Sequence, residues 1–146
     1  MKLLILNGPN LNMLGIREPE IYGHTTYASL CEMLQSHAVQ IGVQIECKQS
    51  NHEGSLVDMI QQAYGNMDGI VINPGAYTHT SIALLDALKT VGLPSVEVHI
   101  SDPDQRESFR KVSYIRNVCV KTIKGHGIAG YSEAMDFLKR YIENDS

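Results

Sequence analysis

At 146 residues, with 43% hydrophobic and 19% charged residues, the chain has the size and composition of one globular domain, which excludes an intrinsically disordered protein. Its formal charge of −4 excludes a broad electrostatic attraction to nucleic acid or anionic lipid. No run approaches the roughly 20 apolar residues needed to span a bilayer, and the N-terminus lacks the zones of a signal peptide, so a cytoplasmic protein is expected.

The first predicted element is the apolar run Lys2–Leu6, which ends in Asn7-Gly8-Pro9-Asn10 and reads as a buried strand stopping abruptly at a turn. The segment Asn7–Gly23, NGPNLNMLGIREPEIYG, is longer than an ordinary strand-to-helix connection of about two to six residues. Long loops in compact domains are commonly functional, and Leu11, Met13, Leu14 and Ile16 give this one apolar side chains to pack down, so it reads as a lid. It carries Arg17 and Tyr22. A free phenol, with a pKa of about 10, is a poor base at neutral pH, and a neighbouring guanidinium favours the phenolate. Spacing alone leaves Tyr22 as loop packing.

Helical spacing follows at Tyr27, Leu30, Leu34, Ala38 and Ile41, then a strand at Val43–Cys47. Ser50-Asn51-His52-Glu53 has the spacing of a capping box for a second helix on Leu56, Met59, Ile60 and Ala63. Strand Gly69–Ile72 precedes Asn73-Pro-Gly-Ala-Tyr-Thr-His79 and a third helix on Ile82, Leu85 and Leu88. Strand Ser95–Ile100 carries Glu97 and His99, and the polar stretch Ser101–Tyr114 reads as a short helix plus loop. Strand Val118–Ile123 and a last helix on Tyr131, Met135, Leu138 and Ile142 complete the pattern. Cys31, Cys47 and Cys119 are odd in number and widely spaced, so they read as reduced, mostly buried thiols. Strands alternating with helices imply a parallel sheet covered on both faces, here a single flavodoxin-like α/β domain over residues 1–146 with strand order 2-1-3-4-5.

In such a sheet ligands bind beyond the carboxyl ends of the strands. With that order the polar ends of the first, third and fourth strands face one crevice, suited to a small polar anion. Glu97 and His99, two apart on a strand, share a face, where a carboxylate beside an imidazole suits either a general acid or a satisfied structural histidine. His79 lies at an expected helix start, where free N–H groups favour an anion and Ser101 offers another donor; N-capping by Thr78 or Thr80 is compatible with this. Gly75 fits a tight turn or a close backbone approach. Arg106 and Arg110, on one helical turn, form either an anion clamp or surface ion pairs. Asp86, beside Leu84, Leu85 and Leu88, faces either a partner subunit or solvent.

The lid Asn7–Gly23, QSNHEG at Gln49–Gly54, INPGAYTHTS at Ile72–Ser81, VEVHISDPDQRESFR at Val96–Arg110 and GHGIAGY at Gly125–Tyr131 together resemble type II 3-dehydroquinate dehydratase, over nearly the whole chain. The resemblance implies a flavodoxin-like fold and trans elimination of water from 3-dehydroquinate to 3-dehydroshikimate, without metal, organic cofactor or Schiff base. This step serves both the shikimate pathway and quinate catabolism. Carried onto this chain, Tyr22 is the base and Arg17 lowers its pKa. Asn10 holds a water or donor at the developing enolate oxygen, and His99, oriented by Glu97, protonates the departing hydroxyl. Asn73, His79, Ile100 through its backbone N–H, Ser101 and Arg110 bind the substrate, with Arg106 in support. Asp86 reaches a neighbouring subunit's site in a trimer-based dodecamer.

Three rivals fit less well. A flavin-binding electron carrier wants a hydroxyl- and glycine-rich phosphate loop after the first strand, where Pro9 removes an N–H. A receiver-type signalling module wants acidic residues where Asn7 and Asn73 stand. A metal hydrolase wants ligand spacing that the six scattered histidines lack.

Overall fold

The computed structural model describes residues 1–16, 18–22 (Tyr22 by its backbone) and 24–144. Five strands, β1 (Lys2–Asn7), β2 (Gln44–Gln49), β3 (Gly69–Asn73), β4 (Ser95–His99) and β5 (Lys121–Lys124), form one parallel sheet in the order β2-β1-β3-β4-β5. This is the order expected from the sequence. The longer helices are α2 (Tyr27–Ile41), α3 (Glu53–Ala63), α4 (Ile82–Val91) and α5 (Ala129–Asn144), and a single-turn helix, α1 (Pro19–Tyr22), lies in the lid segment.

Alternation along β1 builds two cores. Leu3 and Ile5 point to one face, where Leu30 and Leu34 of α2 and Tyr131, Met135 and Leu138 of α5 pack on them. Leu4 and Leu6 point to the other, under Leu56 and Ile60 of α3 and Leu84 and Leu88 of α4. These side chains are at most 3% exposed. Burying each large apolar side chain is worth about 1.5–3 kcal/mol, so the sheet is held from both faces.

Local signals set the helix ends. Thr26 caps α2 by accepting from the Ser29 N–H at 3.1 Å, and Gly42, at φ 76°, closes it in the left-handed conformation. Ser81 caps α4 through the Leu84 N–H at 3.0 Å. The cap is therefore Ser81, not Thr78 or Thr80, because the chain first makes a 3-10 turn over Gly75–His79.

Other expectations are corrected as well. The buried stripe of α4 is Leu84, Ala87, Leu88 and Val91, while Ile82 is 55% exposed, because the helix turns its other face to the sheet. Ser50 accepts from the His52 N–H at 3.0 Å, one step before α3, whose cap position is His52. β5 starts only at Lys121, since Ile115–Asn117 forms a 3-10 turn whose Ile115 carbonyl takes the Val118 and Cys119 N–H groups. The short helix plus loop expected between β4 and that turn takes the form of two 3-10 turns, Pro103–Gln105 and Ser108–Arg110, joined by loop. Cys31, Cys47 and Cys119 are free but only half-buried. Among the described residues no helix is long and apolar enough to cross a membrane.

Candidate active site

The register brings the strand ends level. Asn7 pairs with Asn73 across β1 and β3, and Ile72 of β3 with Glu97 of β4. Beyond these ends lies a cleft lined by Leu11, Asn73, Gly75, Ala76, His79, His99, Ile100, Ser101, Pro103, Arg106 and Arg110. Six predicted site residues meet there: Asn73, His79, His99, Ile100, Ser101 and Arg110. Arg106 joins them as a wall residue. Asn10, with φ 71° and exposed, precedes the lining Leu11 and gives its N–H to Asn51 Oδ1 at 3.0 Å. Asp86 stands on the exposed side of α4, outside the cleft. Arg17 and the Tyr22 side chain lie outside the described residues.

The backbone permits this convergence at one tight place. The Gly8 N–H donates to the Asn73 carbonyl at 2.8 Å, and a Cβ on Gly8 would lie 2.3 Å from the Pro74 carbonyl oxygen. The first and third strand-end loops thus touch backbone to backbone, which requires glycine. Of the lid's apolar residues, Leu11 and Leu14 pack down, whereas Met13 and Ile16 are 43% and 73% exposed, so half of the expected packing is present.

Beneath the cleft floor, Tyr131 has no exposed surface. Its hydroxyl donates to Asn7 Oδ1 at 2.6 Å and accepts from Asn73 Nδ2 at 2.8 Å. Asn73 Oδ1 in turn accepts the Gly75 N–H at 3.1 Å, which fixes the amide's orientation. Burial pushes the Tyr131 phenol well above its ordinary range, so it stays neutral.

His99 Nε2 lies 2.5 Å from Glu97 Oε2. Glu97 is fully buried, which by itself raises a carboxyl pKa. Hydrogen bonds from His99, Arg116 and Ser113 overcome that and hold it at about 2. An ionised carboxylate only accepts, so the His99 proton in this pair sits on Nε2. The same carboxylate receives Thr122 Oγ1 at 3.1 Å, and Thr78 Oγ1 stands 3.4 Å away. Arg116 reaches it twice, Nε to Oε1 and Nη2 to Oε2, each at 3.1 Å.

His79 ends its 3-10 turn with Nδ1 2.7 Å from the Val112 carbonyl. Burial lowers its pKa against that bond, helped by the positive fields of His99, Arg110 and Arg106. Arg106 directly follows one 3-10 turn and Arg110 ends the next, so the two do not share one helical turn. Arg110 Nε is bound to Glu107 at 2.6 Å, and Arg106 Nη2 reaches Glu18 of the lid segment at 3.6 Å. The cleft therefore offers amide, hydroxyl and guanidinium groups beside the buried Glu97–His99 pair, a set chemically suited to an oxygen-rich anion and to proton transfer.

Sequence reasoning missed Arg116, Ser113, Thr122 and Tyr131. Thr122 carried a usable signal, a hydroxyl in an apolar strand and, given the sheet order, a neighbour of Glu97. Arg116 carried none, because it lies in a turn nineteen positions from Glu97.

Residues 1–139 match the family described as Dehydroquinase class II. The 3-dehydroquinate dehydratase 1 of Corynebacterium efficiens is 53% identical over 137 residues, covering 94% of this chain and 91% of that protein. The catabolic 3-dehydroquinase of Verticillium alfalfae is 49% identical, covering 97% of this chain and 95% of that one. The crystal structure of the type II dehydroquinase from Butyrivibrio crossotus superposes with a TM-score of 0.94 at 51% identity, over 95% of this chain and 97% of that chain. With its parallel sheet and strand-end cleft, the chain belongs to the class II dehydroquinase family.

Proposed function

We propose that the cleft binds 3-dehydroquinate and eliminates water from it in the trans sense, giving 3-dehydroshikimate through an enolate. The family relationship makes the chain a hydro-lyase. The observation that carries the site assignment is the buried Glu97–His99 pair at the carboxyl end of β4, opening on a cleft of hydroxyl- and anion-binding groups.

In this reading the Tyr22 phenolate, favoured by Arg17, takes the proton from the carbon next to the ketone, and the C–H electron pair becomes the enolate. Asn10, with a water, stabilises the enolate oxygen. As the enolate collapses, the C–O bond to the departing hydroxyl breaks and its oxygen takes a proton from His99, so one water leaves. With Nε2–H held by Glu97, Nδ1 is the nitrogen left to carry that proton. Asn73, His79, Ser101, Arg110 and the Ile100 N–H bind the hydroxyls and carboxylate. A neutral His79 suits a hydroxyl partner, and Arg110 suits the carboxylate.

Asp86, with exposed Ile82 and Ala83 beside it on α4, supports a subunit contact on that face and the trimer-based dodecamer as the assembly. Light scattering tests it: a dodecamer mass is expected, and a monomer at all concentrations refutes it.

The direct test of the reaction is ultraviolet absorbance. Adding 3-dehydroquinate produces a rising conjugated-enone signal, and a flat trace at saturating substrate with assembled protein defeats the assignment. Borohydride with substrate leaves activity intact; inactivation through a modified lysine indicates imine chemistry instead.

A further inference from the structure

The carboxylate of Glu97 is held by two kinds of partner. Thr78, Ser113 and Thr122 are neutral hydroxyls, which fix its position but add no opposing charge. Arg116 and, when protonated, His99 supply positive charge. A buried carboxylate without a cation is costly. This matters during turnover, because the proposed acid gives its proton away once per cycle. At that moment His99 stops compensating Glu97. A pair left to itself would hold the proton more tightly and resist the transfer.

We propose that Arg116 is a positioning residue for proton delivery. By gripping both oxygens of Glu97, it keeps the carboxylate charged and in place before and after His99 releases its proton. The inference rests on the reading of His99 as the acid. Among the described residues Arg116 is not part of the cleft lining, and its side-chain hydrogen bonds run to Glu97. Its planar guanidinium makes two parallel bonds that a lysine cannot reproduce, although lysine keeps the charge.

The other charges around His99 come from every side of the cleft. Glu97 lies on its own strand, His79 on the turn after β3, and Arg106 and Arg110 on the turns after β4. Lys124, in register with His99 on β5, is bound to Asp104 and lies 3.7 Å from Asp102. An Arg116 substitution leaves these side chains in place; besides Glu97 it withdraws a positive field from Asp104, whose carboxyl is held chiefly by Lys124.

Arg116→Gln and Arg116→Lys are compared with the parent by kcat, KM and the pH dependence of kcat, and by NMR titration of the His99 imidazole without substrate. In Arg116→Gln, kcat falls by about 10- to 100-fold, the range for losing charge-assisted hydrogen bonds, with KM little changed. The alkaline limb of kcat and the imidazole titration both move to higher pH. Arg116→Lys returns both curves toward the parent position, with kcat between the two. Parental kcat and titration in Arg116→Gln overturn the inference, as do equal losses in both variants with unmoved curves. Should Arg116→Gln fail to fold, parental kcat in Arg116→Lys overturns it. A parent protein inert toward 3-dehydroquinate defeats the functional reading instead, and the imidazole titration still tests the coupling on its own.

Discussion

Replacing Glu97 by glutamine tests the acid pair through stability, independently of substrate. Glu97 has no exposed surface and a pKa of about 2 against an ordinary value of 4.5. At about 1.4 kcal/mol for each pH unit, that fall corresponds to about 3 kcal/mol of folding stability. The folded pKa is depressed, so this contribution is fully present above pH 4.5 and is lost as the pH falls toward 2. Glutamine removes the charge and offers one acceptor oxygen in place of two, so the two donors of Arg116, which can only donate, no longer both find an acceptor. Glu97→Gln should therefore be less stable than the parent at pH 7 by a few kcal/mol, and the gap should narrow by about 3 kcal/mol between pH 5 and pH 2. Urea unfolding followed by far-ultraviolet circular dichroism measures it, with both proteins at one concentration because assembly adds to apparent stability. Glu46, Asp104 and Glu107 also have lowered pKa values, but they are distant from the substitution or exposed and cancel in the difference. A gap that stays constant across that pH range would show that Glu97 is not held ionised by its partners.

Tyr22→Phe should bind substrate with an affinity near the parent's but lose about 10²–10⁴ in kcat, the usual share of a general base; near-parental turnover in the absorbance assay rejects tyrosine as the base. Tyr131→Phe removes the hydroxyl joining Asn7 to Asn73 and should cost about 1–3 kcal/mol in urea unfolding together with a raised KM, whereas unchanged values of both show the bridge to be idle. Gly8→Ala places a Cβ against the Pro74 carbonyl and should depress both stability and kcat/KM, while a parental melting temperature shows that the two loops separate at little cost. Asp86→Ala should lower kcat/KM in the assembled protein without changing its mass in light scattering; full activity removes Asp86 from the neighbouring site.

Sheet order and strand-end placement were legible because alternating apolar strands and helices restrict the topology to few choices. Glu97 and His99 were legible for the same reason, since period two puts residues two apart on one face. Where turns intervene, the sequence spoke less clearly. Ser81, not Thr78 or Thr80, caps α4 because the chain makes a 3-10 turn first. Ser50 missed the cap position of α3 by two residues for a similar local reason, an N–H bond that forms before the helix begins. The α4 stripe was misread because Ile82, Leu85 and Leu88 share a helical spacing with Ala87 and Val91 nearby, and only packing decides which face turns inward. Arg116 and Tyr131 join the site through contacts that depend on the whole topology. Their partners are distant in the chain, and no local spacing announces them.

Tyr131 also orders events in time. The hydroxyl that joins the ends of β1 and β3 is carried by α5, 124 positions after Asn7. Elongation on the ribosome therefore delivers the two asparagines long before the group that ties them together. A nascent chain can pair its early strands and close the Gly8–Asn73 backbone contact, yet the side-chain bridge between Asn7 and Asn73 waits until α5 emerges and docks. The floor of the cleft is therefore completed only once α5 has docked on the sheet, so the two asparagines gain their fixed orientation from the far end of the fold.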